Sequence, residues 1–133
     1  MKRLFADTFY FLATINRRDP IHARALSIRR ELDAHCITTQ WILTEVADAL
    51  CVRPNRGAAI HLLRGLRQQR ELTIVPASEA LFQRGLEFYC SRADQEWSLT
   101  DCISFVVMRD EKLTEALTGD HHFEQAGFAA LLS

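Results

Sequence analysis

The chain has 133 residues, with 16 basic and 17 acidic side chains and a formal net charge of −1. Apolar residues make up 48% and charged residues 25%, a mix that excludes a disordered or fibrous chain. No apolar run approaches the ~20 residues that cross a bilayer, and the near-neutral charge excludes a polybasic nucleic-acid glue while leaving local basic patches open.

Residues 3–6 form a short apolar run that stops at Asp7, which predicts a strand at the centre of a sheet. From Thr8 the spacing of Phe9, Leu12 and Ala13 predicts a helix to Asn16. Pro20 opens a second helix that runs to about Asp33. Residues 36–39 read as a second strand, 41–52 as a third helix broken before Pro54, and about 57–69 as a fourth helix. Residues 72–75 are a third strand, closed by Pro76. Helix follows over 78–91, with Leu81, Phe82, Leu86 and Tyr89 inward, then a polar loop, then helix from about Leu99 to Glu111. Residues 116–118 make a fourth strand, ending at Gly119-Asp120, and a short helix near His122–Gln125 precedes a last strand over 128–131. Strands alternating with helices imply an α/β fold, a three-layer α/β/α arrangement on a small parallel sheet of about five strands. One domain over 1–133 is expected for this length.

Cys36, Cys51, Cys90 and Cys102 form no C-x-x-C pair, and are expected as buried free thiols in a reducing cytoplasm. The start, Met1-Lys2-Arg3-Leu4-Phe5, imitates a secretory leader. Asp7 interrupts it and no small-residue cleavage site follows before Arg17-Arg18-Asp19, so no targeting segment is expected.

In an open parallel sheet, ligands bind beyond the carboxyl ends of the strands. Asp7 follows the first strand and Asp120 follows the fourth by one glycine; Asp101 lies in the first turn of the helix from Leu99, and Glu45 one turn into the third helix. The four could converge on one pocket. Two like charges ~4 Å apart repel by about 4 kcal/mol at an effective dielectric of about 20, so such a cluster calls for shared protons or cations. Oxygen-only ligands suit Mg²⁺ or Mn²⁺, and a pair of such ions serves phosphodiester displacement.

Each acid also has a plainer reading. Asp7 and Asp120 could cap the helices that follow them. Ser98-Leu99-Thr100-Asp101 is close to a capping box. Glu45 could be a solvated side chain, and Asp48, one turn further, fits an ion-pair partner better than a ligand. Adjacent His121 and His122 lack a third ligand at zinc spacing. Trp97 is expected to pack the loop before Asp101. The stretch Cys51 to Arg70 contains no acid and carries Arg53, Arg56, Arg64, Arg67 and Arg70. It could border the pocket and hold phosphates, or be a solvated face or a surface for an acidic partner.

Four segments together resemble the PIN domain, most of all VapC-type toxin ribonucleases. They are Arg3-Leu-Phe-Ala-Asp7-Thr8, Thr44-Glu45-Val46, Trp97-Ser98-Leu99-Thr100-Asp101-Cys102, and Ala116-Leu117-Thr118-Gly119-Asp120-His121-His122-Phe123. The resemblance implies a Mg²⁺- or Mn²⁺-dependent endoribonuclease on a five-stranded parallel sheet. It implies catalytic and metal-binding acids at Asp7, Glu45, Asp101 and Asp120, with Thr8 and Thr118 as auxiliary hydroxyls. It also implies cleavage that leaves a 5′-phosphate and a 3′-hydroxyl, a small antitoxin whose tail enters the acidic site, and a homodimer. The rival readings are a non-catalytic scaffold of the same fold that binds RNA or protein, a receiver-like signalling domain, and a nuclease acting on DNA. The receiver reading lacks a suitable late lysine, since Lys112 stands at a helix end before the fourth strand.

Overall fold

Five short apolar runs become the strands of one parallel sheet in the computed structural model, which describes residues 1–133. The elements in chain order are β1 (Lys2–Ala6), α1 (Thr8–Ile15), α2 (His22–Leu32), β2 (Ala34–Thr39), α3 (Gln40–Ala49) and α4 (Asn55–Leu66). They continue with β3 (Leu72–Val75), α5 (Glu79–Ser91), α6 (Leu99–Asp110), β4 (Glu115–Leu117), α7 (His121–Gln125) and β5 (Ala129–Ala130). Every predicted element occurs, with shifted ends. Pro20 lies before α2 rather than in its first turn, because the Asp19 carboxylate accepts the Ile21 N–H at 2.8 Å and holds a turn there. No helix is long and apolar enough to cross a membrane.

The strand order is β3-β2-β1-β4-β5. Leu4 pairs with Cys36 and Phe5 with both Ile37 and Ala116, so β1 is flanked on both sides. That is why Leu4, Phe5 and Ala6 are fully buried. From β1 to β3 the chain moves one way across the sheet, then returns past β1 to β4 and β5. Right-handed crossovers therefore put α1–α4 on one face and α5–α7 on the other. The reversal falls between β1 and β4, and the crevice at their carboxyl ends is the natural binding position of such a sheet.

The aromatic core fixes that crevice. Phe5 meets Phe123 (6.2 Å between centroids), Phe123 meets Phe105 (5.0 Å), and Phe105 meets Trp97 (5.2 Å). The chain of rings ties β1, α7, α6 and the loop before α6 into one block, each pair contributing about 0.5–1.5 kcal/mol beyond its burial. Trp97 packs that loop as expected, its Nε1 donating to Gln125 Oε1 at 3.1 Å.

Two expectations about burial need correction. Cys36 and Cys102 are buried, but Cys51 and Cys90 are exposed. Cys51 lies beyond the end of α3, and Cys90 in the last turn of α5. Tyr89 is 47% exposed rather than inward. The buried stripe of α5 runs through Leu81 and Gly85, where a Cβ would sit 2.3 Å from Ile103 Cγ1 of α6. Tyr89 stands to one side of that seam.

Candidate active site

Asp7 follows β1 directly and is 5% exposed. Its backbone takes the N-cap position of α1, yet its side chain makes no cap hydrogen bond. Instead the Thr118 hydroxyl, itself fully buried at the end of β4, donates to Asp7 Oδ2 at 2.7 Å. The same Thr118 oxygen accepts the Asp120 N–H at 3.1 Å. One hydroxyl thus sets the two strand-end acids relative to each other.

The remaining acids are held locally. Asp120 Oδ1 accepts the His122 N–H at 2.9 Å and caps α7. Ser98 and Asp101 form a full capping box on α6: Ser98 Oγ accepts the Asp101 N–H at 3.0 Å, and Asp101 Oδ2 accepts the Ser98 N–H at 3.2 Å. Thr8 donates its hydroxyl to Glu45 Oε1 at 2.5 Å, joining α1 to α3.

These bonds share a pattern. Asp7, Glu45, Asp101 and Asp120 each have one carboxylate oxygen engaged by the protein and the other without a side-chain partner. All four line one cavity of about 430 Å³, with Thr8, Phe9, Glu96, Ser98 and His122. No lysine or arginine lines it. Burial pushes the Asp7 carboxyl up to about 7, the Thr118 hydrogen bond opposes this, and the charges of Asp101 and Glu45 add to it. Burial also raises Glu45 and Asp101, against the hydrogen bonds from Thr8 to Glu45 and from Ser98 to Asp101. The cavity is short of positive charge, and hard oxygen donors are what it offers.

The capping roles expected for Asp101 and Asp120 are present and coexist with convergence; that expected for the Asp7 side chain is not. Asp48 is exposed and forms no ion pair, so it is not the salt-bridge partner it was expected to be. Arg53, Arg56, Arg64, Arg67 and Arg70 are exposed, in no salt bridge, and absent from the acidic cavity. Arg70 stands just before β3, at the amino edge of the sheet, whereas Asp7 and Asp120 stand at the carboxyl edge.

Sequence reasoning misses three cavity residues: Phe9, Glu96 and, as a neighbour of the acids, His122. His122 Nδ1 lies 3.1 Å from Asp101 Oδ2 and 3.5 Å from Asp120 Oδ1. Donor atoms of Asp120, His121 and His122 lie within 4.8 Å of one another. The signal for His122 is its place two residues after a helix-capping Asp. Nothing local marks Glu96 or Phe9.

A family model described as the PIN domain matches residues 4–129. Over 125 residues the chain is 26% identical to the 23S rRNA-specific endonuclease VapC20 of Mycobacterium tuberculosis, in strains CDC 1551 / Oshkosh and ATCC 25618 / H37Rv alike, with 94% of this chain and 95% of the relative covered. The crystal structure of Mycobacterium tuberculosis VapC20, a sarcin-ricin loop cleaving toxin, superposes with a TM-score of 0.88 at 24% identity, covering 98% of this chain and 99% of that one. FitAcB from Neisseria gonorrhoeae gives a TM-score of 0.64 at 14% identity, with 98% and 96% covered.

Proposed function

The chain belongs to the PIN domain family, and from that premise we propose that residues 1–133 form one metal-dependent endoribonuclease domain, the toxin of a toxin–antitoxin pair. The observation that carries this is the set of four acids, each with one oxygen held and one free of side-chain partners, in a cavity lined by no lysine or arginine. The likeness to a ribosomal-RNA endonuclease supports RNA over DNA as the substrate.

The donor set fits a hard divalent cation, because the free oxygens are carboxylate and no lysine or arginine lines the cavity to neutralise them. Asp7, Asp101 and Asp120 would hold Mg²⁺ or Mn²⁺, with Glu45 on a second ion or on the attacking water. Such ions neutralise charge on the scissile phosphodiester and make water a better nucleophile. Thr118 fixes Asp7 and the Asp120 backbone, and Thr8 fixes Glu45, so the free oxygens need little reorganisation. The Ser98–Asp101 capping box holds the Asp101 carboxylate in the cavity wall.

The exposed Arg53, Arg56, Arg64 and Arg67 would take outlying RNA phosphates, with Arg70, on the opposite sheet edge, contributing least. A cavity without its own cation also suits an arginine from a small antitoxin. Homodimerisation and a cytoplasmic location belong to the same proposal.

The test is cleavage of a mixed cellular RNA pool with Mg²⁺, with Mn²⁺ and with EDTA, and Asp101→Ala beside the wild type. Discrete fragments that need metal and vanish in the variant are expected. Folded protein, free of inhibitor, that cuts nothing would move the assignment to a non-catalytic scaffold.

A further inference from the structure

A second cleft, of about 880 Å³, opens beside the acidic cavity and shares Glu96 and Ser98 with it. The end of α5, the loop 92–98 and the first turn of α6 enclose it. Resting on the nuclease reading, we propose that this cleft receives the base of a nucleotide flanking the scissile phosphate and so sets where the chain is cut.

Contiguity is the first argument. Because Glu96 and Ser98 line both cavities, an RNA strand whose phosphate lay at the acids and that crossed this rim would bring a neighbouring base to the cleft. Lining chemistry is the second. Tyr89, Trp97 and Leu99 make the walls apolar. The Tyr89 ring is 47% exposed and free to stack. Gln95 lines the same space; its backbone N–H donates to Arg92 O at 3.1 Å but its side-chain amide makes no hydrogen bond within the protein, so it can donate to and accept from a base edge.

Charge is the third argument. Arg92 is the one basic residue of the lining, and its guanidinium already meets Asp94 at 2.9 and 3.0 Å while lying over Trp97 at 4.9 Å. With that cation paired, the cleft suits a neutral planar group better than a phosphate or an acidic peptide. Rigidity is the fourth. Trp97 is held by Gln125 and packed between Phe88 (5.7 Å) and Phe105 (5.2 Å), so the wall is formed before any ligand arrives.

The experiment uses the full chain, an RNA oligonucleotide containing a mapped cut, and a series of the same oligonucleotide with one abasic position each. Ala93→Trp, on an exposed turn at the cleft mouth, fills the space; Gln95→Leu is the milder variant. For the wild type, one abasic position next to the cut should raise KM roughly 10-fold, within the range of one base–aromatic stack. In Ala93→Trp, intact RNA should behave as that abasic RNA does, with no further penalty from the abasic position. Gln95→Leu should flatten the base preference there. Penalties that simply multiply would overturn the proposal. So would unchanged RNA kinetics in Ala93→Trp together with lost inhibition by an antitoxin, which would give the cleft to a peptide.

Trp97 fluorescence with each of the four nucleoside 5′-monophosphates separates this idea from the nuclease reading. Quenching that is abolished by Ala93→Phe, which fills the cleft without adding an indole, in protein that cuts no RNA, keeps the base site and discards the catalysis. Metal-dependent cutting with neither quenching nor an abasic effect does the reverse.

Discussion

Removing the charge of Asp7 should stabilise the metal-free protein, and the effect should depend on pH and metal. The carboxyl is pushed from its ordinary 3.8 up to about 7, chiefly by burial. Between those values the folded chain holds a proton that the unfolded chain has released. The stability this group contributes is therefore fully present below about pH 4 and is lost as pH rises to about 7. A difference of roughly three pH units is on the order of 4 kcal/mol. Asp7→Asn keeps the shape and leaves an oxygen to accept from Thr118. In EDTA at pH 8 the variant should be more stable by up to about 4 kcal/mol, roughly 15 °C in Tm for a domain of this size. Near pH 4 the two proteins should be close. Mn²⁺ at 100 times its Kd should narrow the gap to roughly 1 kcal/mol, since it adds about 2.7 kcal/mol to the protein that binds it and the variant lacks one of the carboxylates that would hold the ion. Calorimetry at both pH values, with and without metal, reads all of this. An Asn variant less stable than wild type in EDTA at pH 8 would refute the electrostatic reasoning.

Gly85→Ala should cost about 1–3 kcal/mol, since the new Cβ would lie 2.3 Å from Ile103 Cγ1 and 3.2 Å from Ile103 Cα; the urea midpoint should fall, and an unchanged midpoint would mean α5 and α6 separate freely. Ser104 Oγ is the one buried side-chain polar atom without a partner, so Ser104→Ala should be neutral or stabilising by about 1 kcal/mol, and a clear loss on thermal unfolding would count against that. Replacing Arg53, Arg56, Arg64 and Arg67 by Gln should lower the slope of log affinity against log salt for single-stranded RNA by about 0.7 for each phosphate these side chains neutralise. An unchanged slope would remove this segment from the RNA path.

The first four strands were legible because each ends at or just before a residue that stops it or starts a helix: Asp7, Thr39, Pro76 and Gly119. Thr39 caps α3 through the Ile42 N–H, a strand-to-helix turn written in adjacent residues. The capping box at α6 was legible for the same reason, since Ser98 and Asp101 lie three apart. Asp7 was not, because a cap is a local inference and the group that takes its carboxylate, Thr118, is 111 residues away. Glu45 depends in the same way on Thr8, 37 positions earlier. The acid-free, arginine-bearing stretch around α4 suggested phosphate contacts but not which way they point, which is set by how α4 packs on α3. Tyr89 fitted the helical period of α5, but periodicity cannot say how wide the buried stripe is, and at Gly85 it is narrow.

The acids gain something from where they stand, though not enough to make the cavity comfortable without a cation. Asp7 and Asp101 sit at the amino ends of α1 and α6, and Asp120 caps the shorter α7. A helix terminus favours a carboxylate by about 0.3–1 kcal/mol, against roughly 4 kcal/mol for two charges in contact. Burial first, and the neighbouring acid charges after it, raise the proton affinity of Asp7, Glu45 and Asp101. Capping alone does not require this arrangement. Ser98 Oγ already serves the Asp101 N–H, and the Asp7 side chain caps nothing. A sequence selected only to end its strands and start its helices could use serine or asparagine at Asp7 and Asp120 and avoid the repulsion. Full carboxylates at these positions, each turned so that one oxygen stays available, are explained by a ligand that carries positive charge.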